Sequence, residues 1–405
     1  MNPSMVGWAH TPFGRLEGTL EDLIVNVTRG AIEHAGITAA DVDGVWLGHC
    51  NSGLVSDGFP AALAIQADQG LRWKPATRVE NACASGSAAL YSAAQAIKAG
   101  EAKIALVIGA EKMTSKSTAE VGAALGGAAY QREEAGHTFP QIFAQYAAAY
   151  FEAFGDHSGD LAQIAAKNHR NGVNNPLAHM RKDVGFDFCN TVSDKNPIVA
   201  DPLRVTDCSL ISDGAAAVIL VADDVAADFE QAVTFRSMAH VQDILPMSQR
   251  NLLAFEGPAR AFATAFSAAG IKVNDLDFAE VHDCFTIAEL LCYEAMGLAE
   301  TGKGSNVIAA GTVFPDGELP INLSGGLKSK GHPVGATGVS MHVMSAMQLT
   351  GTAGDLQKGR RRARLRVQHG RLRRGQLLLR ARTPELNPRR SVGHRVRGTA
   401  SVGER

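Results

Sequence analysis

The sequence predicts an α/β fold built from two related halves, and three observations support that prediction. Residues 31–50 and 265–284 match at seven positions in one ungapped register, 234 residues apart. Each copy has the pattern of an amphipathic helix ended by Gly, followed by an apolar strand ending at Cys. A segment of different composition separates the copies. The chain has 405 residues, which is long enough for a duplicated core of this kind.

The pattern divides the chain into four parts. The first half covers residues 1–112 and resumes at 207–230, where SDGAAAVILV indicates a glycine turn into a buried strand. Residues 113–206 are rich in Gly, Asn, His and Lys, with one helical pattern, HTFPQIFAQYAAAYFEAFG. This composition favours an inserted loop domain that covers a site. The second half covers 231–357, and an Arg-rich tail covers 358–405.

The tail differs in charge from everything before it. It holds one Lys and 15 Arg against two Glu, whereas the preceding residues hold 23 Lys and Arg and 39 Asp and Glu. An acidic main body argues against nucleic acid as a partner. A nucleic-acid or membrane-surface function would therefore depend on the tail alone. Because its charge cannot be buried and its apolar content is low, we expect the tail to be disordered.

The remaining composition disfavours several other classes. The longest apolar runs, 103–110 and 215–222, have the length of strands and are too short to span a membrane. The N-terminal residues do not have the pattern of a secretion signal, so we expect a cytoplasmic protein. Six widely spaced cysteines without a C-x-x-C pair predict neither a zinc site nor a disulfide framework.

The first candidate site lies in RVENACASGSAALYSAAQAIKAG, residues 78–100. An Ala-rich helix is predicted from Ala84 to Gly100 after a strand end, which leaves Cys83 in a tight strand-to-helix turn. At a helix N-terminus, the dipole and the N–H groups favour a thiolate and stabilise an oxyanion beside it. We therefore interpret Cys83 as a nucleophile rather than as a small core residue.

The second candidate site is a glycine-rich segment, INLSGGLKSKGHPVGATG, at residues 321–338. Its glycines allow close backbone approach, and it does not match the Walker A pattern. His332 lies between Gly331 and Pro333, which is a rigid setting for an imidazole. A Cys nucleophile needs a neighbouring His as base and charge partner, so we pair His332 with Cys83.

The third candidate site is FAEVHDCFTIAELL, residues 278–291, which predicts a strand ending at His282-Asp283-Cys284. A metal site would need further ligands at suitable spacing, and because the sequence offers none we expect no metal. We interpret Cys284 as a second cysteine that cycles protons and His282 as a hydrogen-bond donor.

Together these segments resemble the thiolase superfamily. The resemblance spans about residues 8–357 and rests on HTPFG, ENACASG, SDGAAAVILV, HDCF and GGLKSKGHPVGATG, in the family's order. The HDCF motif resembles the sterol-carrier-protein-linked branch. The resemblance implies the layered αβαβα thiolase fold of two repeated halves with an inserted loop domain. It also implies a homodimer or homotetramer.

The resemblance further implies a role for each candidate residue. Cys83 would take the acyl group from an acyl-CoA, and His332 would activate it and line an oxyanion hole. His282 would hold the other donor of that hole, directly or through water, and Cys284 would shuttle the proton. Substrate contacts are expected from four residues of the glycine-rich segment: Ser324, Gly325, Gly326 and Gly331.

The implied reaction is reversible thiolysis in fatty-acid or sterol side-chain metabolism. A 3-oxoacyl-CoA and coenzyme A would give acetyl- or propanoyl-CoA and a shortened acyl-CoA. Coenzyme A would be a co-substrate, with no permanently bound cofactor. One related alternative is a retro-aldolase that cleaves steroid side-chain CoA esters with an OB-fold partner protein. Such proteins tend to lose the nucleophilic cysteine, which is present here as Cys83. Another is a ketosynthase acting on carrier-protein thioesters, which the GHPVGATG loop and the acidic body disfavour.

The resemblance ends near Gln357. The family continues with a small-residue strand pair and an Asn-Tyr-Cys segment, whereas this chain becomes Arg-rich. The codons for Gln368 to Arg371 and for Gln376 to Leu378, read from their second base, allow residues of that family ending. We therefore expect residues 358–405 to arise from a change of reading frame.

Overall fold

The computed structural model describes residues 2–50, 53–358, 367–370 and 376–381. Its strands are β1 Ser4–His10, β2 Gly44–Gly48, β3 Ala76–Val79, β4 Ile104–Glu111, β5 Ile198–Ala200, β6 Leu203–Arg204, β7 Gly214–Val221, β8 Val233–Ala239, β9 Phe278–Val281, β10 Val367–Gly370 and β11 Gln376–Ala381. Its α-helices are α1 Leu20–Ala35, α2 Ser85–Ala99, α3 Thr118–Gly126, α4 Gln131–Glu134, α5 Phe139–Phe154, α6 Ser158–Gly172, α7 Phe186–Asn190, α8 Glu256–Ala269, α9 Thr286–Ala295, α10 Gly304–Ala309, α11 Gly326–Ser329 and α12 Thr337–Thr350.

Nine of these strands form one sheet in the order β3-β2-β4-β7-β1-β8-β11-β10-β9. In the first half, β3, β2 and β4 are parallel, and β7 runs antiparallel to β4 and β1. A short antiparallel pairing of β1 with β8 joins the halves. The second half repeats the pattern, because β9 and β10 are parallel and β11 runs antiparallel to β10 and β8. The positions of β9, β10 and β11 thus match those of β2, β4 and β7.

The sequence repeat appears in the structure as a repeat of local elements. α1 and α8 are both followed by a left-handed glycine, Gly36 at φ 69° and Gly270 at φ 63°. Such a residue ends a helix because it lets the cap N–H bond back to the last helical carbonyls. A short 3₁₀ turn and then β2 or β9 follow in each copy.

Helices cover both outer faces of the sheet and fill the space between its halves. α1 packs on the first half, and α8 covers the second. α2 and α12 pack on each other between the two halves. Each sheet half thus buries both faces against helices, and this confirms the predicted layered αβαβα arrangement.

The segment between the halves is more helical than the sequence indicated. The predicted helix over HTFPQIFAQYAAAYFEAFG is present as α5, but α6 was not predicted. The buried face of α6 carries Lys167, Asn168, His169 and Asn171. Because polar side chains occupy that face, the apolar periodicity that normally marks a helix is weak.

Two segments of the Arg-rich tail, β10 and β11, are strands of the large sheet. The expectation of disorder therefore does not describe these two segments. Residues 359–366, 371–375 and 382–405 lie outside the described residues, so disorder there and the change of reading frame stay predictions. Within the described ranges, no helix has the length and apolar character needed to cross a membrane.

Candidate active site

Cys83 lies in a strained turn between β3 and α2. The Ser85 hydroxyl closes this turn, because it donates to the Ala82 carbonyl at 2.7 Å and accepts from the Asn81 N–H at 2.8 Å. Ala82 has a φ of 46°, a left-handed conformation that costs a non-glycine residue roughly 1–2 kcal/mol. Strain of this kind persists where surrounding contacts fix it, and it often accompanies functional sites. The half-buried Cys83 thereby lies at the N-terminal end of a helix, as predicted.

Glycines let α2 and α12 start side by side. A Cβ on Gly86 would lie 2.7 Å from a carbonyl oxygen in the loop before α12. A Cβ on Gly338 would lie 2.3 Å from the backbone nitrogen of the third residue of α2. Only glycine permits so close an approach of two backbones. The contact brings together the two loops that carry Cys83 and His332.

Thr337 fixes the orientation and the tautomer of His332. The Thr337 hydroxyl donates to the Pro333 carbonyl at 2.9 Å, so its oxygen accepts from His332 Nδ1 at 2.7 Å. Nδ1 therefore carries the proton, and Nε2 carries the lone pair that a general base needs. Thr337 is not among the residues predicted from the sequence. Its signal is a hydroxyl in the first turn of a helix, five residues after the histidine.

The structure brings together the four residues predicted to be catalytic. Cys83 Sγ and one ring nitrogen each of His282 and His332 lie within 4.8 Å of one another. The two imidazoles meet edge to face, with ring centroids 5.0 Å apart. Cys284, which is buried, lines the same cavity as these three residues.

The cavity has a volume of 570 Å³ and apolar walls. The segment between the halves supplies much of one wall: Thr118, Val121, Gly122, Leu125, Phe139 and Phe143. Phe143 stacks on Phe285 of the HDCF motif, with ring centroids 4.5 Å apart.

Among the described residues that line the cavity there is no Asp or Glu, and the charged residue is Lys328. Burial lowers the pKa of Lys328, whose Nζ donates to the Cys208 carbonyl at 2.5 Å. Such a cavity suits a mostly apolar acyl group.

Asp283, between His282 and Cys284, anchors this strand end to the glycine-rich loop. Its carboxylate accepts from the backbone N–H of Leu327 at 2.7 Å and from that of Lys328 at 3.2 Å. It also accepts from the Asn168 side chain at 2.8 Å. Burial, and then the nearby charge of Glu289, raises the pKa of Asp283 to about 7.

Glu289 connects Asp283 to a larger buried network. Lys167 Nζ pairs with Glu289 at 2.8 Å, and the Tyr293 hydroxyl donates to the same carboxylate at 2.5 Å. Asn168 bridges the two acids, since its amide also donates to Glu289 at 2.6 Å. The sequence does not reveal this network, because Lys167 and Glu289 are 122 positions apart in the chain.

The four residues predicted to contact the substrate do not line the cavity: Ser324, Gly325, Gly326 and Gly331. Ser324 is buried and donates to Glu280 through its hydroxyl at 2.5 Å and its backbone N–H at 2.9 Å. The three glycines have positive φ, and a Cβ on them would lie 2.2 to 2.7 Å from neighbouring atoms. Their observed contacts shape the loop, and direct contact with a substrate stays a prediction.

Comparison with known proteins identifies the family. The thiolase N-terminal domain matches residues 4–224, and the thiolase C-terminal domain-like family matches residues 239–375. The acetyl-CoA acetyltransferase of Methanothermobacter thermautotrophicus is 37% identical over 359 residues, which cover 87% of this chain and 92% of that protein. This chain belongs to the thiolase family.

One further relative is similar to this thiolase-family chain in sequence, and two solved structures are similar to it in fold. Sterol carrier protein 2 of Gallus gallus is 32% identical over 364 residues, which cover 86% of this chain and 65% of that protein. The Ltp2-ChsH2(DUF35) aldolase shares the fold with a TM-score of 0.78 at 20% identity, covering 94% of this chain and 98% of that one. The Acat5 thiolase from Ascaris suum, in complex with coenzyme A, has a TM-score of 0.70 at 16% identity, covering 94% and 100%. The predicted family, fold and acyltransferase class are confirmed.

Proposed function

We propose that this chain catalyses reversible, CoA-dependent cleavage of 3-oxoacyl-CoA through a thioester on Cys83. The products are acetyl- or propanoyl-CoA and a shortened acyl-CoA. The observation that carries the proposal is the grouping of Cys83 Sγ with His282 and His332 within 4.8 Å, at the start of α2. A thiol, an imidazole base and a helix N-terminus together supply a nucleophile and its activation.

In the first step, His332 Nε2 takes the proton of the Cys83 thiol. The thiolate attacks the 3-oxo carbon, and a new carbon–sulfur bond forms. The C2–C3 bond then breaks, and its electron pair becomes an enolate whose oxygen lies near His282 and His332. The Cys284 thiol gives its proton to C2, which releases acetyl- or propanoyl-CoA.

In the second step, coenzyme A regenerates the enzyme. The Cys284 thiolate takes the proton of the CoA thiol, and the CoA sulfur attacks the acyl carbon on Cys83. The carbon–sulfur bond to Cys83 breaks, which releases the shortened acyl-CoA, and the Cys83 thiolate takes back its proton from His332. The apolar wall around Phe143 and Phe285 supports this assignment, because it keeps water from competing with CoA for the thioester.

The test is to trap the acyl group and to remove the nucleophile. A 3-oxoacyl-CoA added without free CoA should leave one acyl group on the Cys83 peptide, measured by mass spectrometry. Cys83→Ser should lower CoA-dependent cleavage by about 10³-fold or more. If the variant still cleaves carbon–carbon bonds in the presence or absence of CoA, the thiolase proposal fails. Cleavage of a steroid 3-hydroxyacyl-CoA ester without Cys83 would favour the retro-aldolase alternative and its OB-fold partner.

We also infer a cytoplasmic homodimer or homotetramer in lipid metabolism, as the family resemblance implies. Light scattering after size exclusion tests the oligomer, and a monomer at micromolar concentration would contradict it. A panel of short, branched and steroid 3-oxoacyl-CoA esters would define the acyl group.

For the tail, we infer a change of reading frame near codon 358. Resequencing codons 350–375 tests it, and an unbroken frame in independent reads would overturn it.

A further inference from the structure

Three side chains in the cavity are of the types that bind soft metal ions. Cys83 Sγ and one nitrogen each of His282 and His332 lie within 4.8 Å of one another. One thiolate and two imidazoles are a ligand set typical of Zn²⁺ and of other soft divalent ions. All three residues are predicted from the sequence to be catalytic, but the sequence predicts no metal, because no further ligands at metal spacing are evident beside His282-Asp283-Cys284.

The distances are close to those a metal needs. A tetrahedral Zn²⁺ with bonds of about 2.0–2.3 Å holds its ligand atoms roughly 3.3–3.7 Å apart. Separations of up to 4.8 Å would therefore need to shrink by at most about 1.5 Å. All three side chains line the 570 Å³ cavity, which has room for a water molecule as a fourth ligand.

The surroundings orient one ligand and select against hard cations. The Thr337 hydroxyl accepts from His332 Nδ1 at 2.7 Å, which is the kind of outer contact that metal-binding histidines usually have. It leaves the Nε2 lone pair for a metal. Hard ions such as Mg²⁺ and Ca²⁺ need carboxylate or carbonyl oxygens, and no acidic side chain is found among the described residues lining the cavity.

We propose that Cys83, His282 and His332 form a reversible inhibitory site for Zn²⁺ or Cd²⁺. Binding forms a metal–sulfur bond and two metal–nitrogen bonds, and the Cys83 thiol proton passes to solvent. The ion thereby occupies the nucleophile, its base and the enolate-binding nitrogen at once. Only the inhibitory consequence depends on the proposed thiolase activity, while metal binding itself does not.

The test is a Cd²⁺ titration of the full chain, free of metal and CoA, followed by the ultraviolet Cd²⁺–thiolate absorption band. One Cd²⁺ per chain should produce the band in the wild type. Cys83→Ser should abolish it, whereas the matched Cys50→Ser and Cys208→Ser variants should retain it. Thr337→Val should weaken Cd²⁺ affinity by roughly 10–100-fold, the loss usual when the hydrogen-bond partner of a metal-binding histidine is removed. A band that persists in Cys83→Ser would overturn the proposal.

Activity assays separate this proposal from the proposed function. Zn²⁺ should stop 3-oxoacyl-CoA cleavage, and a chelator should restore it fully. A Cd²⁺ band without any cleavage activity would keep the metal site and remove the thiolase function. Cleavage that is unaffected by saturating Zn²⁺ would keep the function and overturn the inhibitory site. Circular dichroism of each variant checks its fold. If Cys83→Ser does not fold, wild-type protein alkylated at Cys83 replaces it in the titration.

Discussion

The ends of β2 and β9 occupy the same position in the two halves and perform different tasks. β2 leads into Gly48-His49-Cys50, and β9 leads into His282-Asp283-Cys284, at the repeat offset of 234 residues. The second end lines the cavity with a histidine and a cysteine. The first end does not line it and packs inside the protein.

The contacts of the first end support the catalytic loops from behind. A Cβ on Gly48 would lie 2.6 Å from the Gly86 backbone, so Gly48 allows α2 to approach the sheet. The Cys50 N–H donates to Glu111 at 2.9 Å, and the same carboxylate accepts from the Gly335 N–H at 2.9 Å. The strand end after β2 thus supports the loops that precede α2 and α12. The strand end after β9 supplies His282 and Cys284 to the cavity.

The largest expected effect comes from replacing the cysteines of the two strand ends, Cys284 and Cys50, with alanine. Cys284→Ala should lower kcat by about 10²–10⁴-fold, the usual contribution of a positioned acid–base group. Cys50→Ala should keep kcat within a few-fold of wild type, because Cys50 contacts Glu111 through its backbone. Steady-state kinetics of both variants measure the contrast. Equal activity of the two variants would remove the distinction between the strand ends.

Replacing the histidines should give the next effect. His282→Ala should reduce kcat/KM by about 10²–10³-fold, as for the loss of one oxyanion donor. His49 Nδ1 donates to the Ala110 carbonyl at 2.9 Å and lies 3.1 Å from Glu111. His49→Ala should therefore cost stability, about 1–3 kcal/mol for a buried unsatisfied partner. Urea unfolding together with kinetics separates the two kinds of loss. A kinetic defect in His49→Ala larger than in His282→Ala would contradict the comparison.

Gly48→Ala tests the close contact behind the nucleophile. The added methyl group would press on the Gly86 backbone and should destabilise the fold by about 1–3 kcal/mol. Gly58→Ala is the matched control, because nothing lies within 4 Å of a Cβ at that position. The control should change the free energy of unfolding by less than about 0.5 kcal/mol. Similar unfolding midpoints for the two variants would show that α2 can move away from residue 48 without loss of stability.

The smallest effect concerns the pH dependence of stability that the Asp283 carboxyl group causes. Folding raises the pKa of Asp283 to about 7 from an ordinary 3.8. The folded state therefore holds a proton that the unfolded chain has lost. This contribution to stability is present at low pH and disappears as pH rises from about 4 to about 7.

Glu289→Gln removes the neighbouring charge, so less stability should be lost between pH 5 and pH 7. The expected change, between pH 5 and pH 7, in the difference between the free energies of unfolding of the variant and the wild type is on the order of 1 kcal/mol. Urea unfolding at each pH measures both free energies. Groups that titrate in the same way in both proteins cancel in this difference. A difference that stays constant with pH would refute the effect of Glu289 on Asp283.

Local signals in the sequence predicted the repeat and the catalytic turn. A Gly-ended helix before an apolar strand, and a Cys before an Ala-rich helix, both depend on neighbours in the chain. The contact of Gly86 with the loop before α12 could not be derived in this way, because it joins separate segments. α6 was missed for a related reason, since Lys167 and Asn168 have polar partners in α9 and in the segment just after β9.

The order of strands in the sheet has a consequence for synthesis of the protein on the ribosome. β10 and β11, from the end of the chain, lie between β8 and β9. A nascent chain that has emerged only as far as residue 358 thus has two open edges, roughly 14 Å apart at the usual strand spacing. Open edges of this kind recruit other chains. The second half therefore closes only after β10 and β11 have emerged, and until then its open edges favour aggregation.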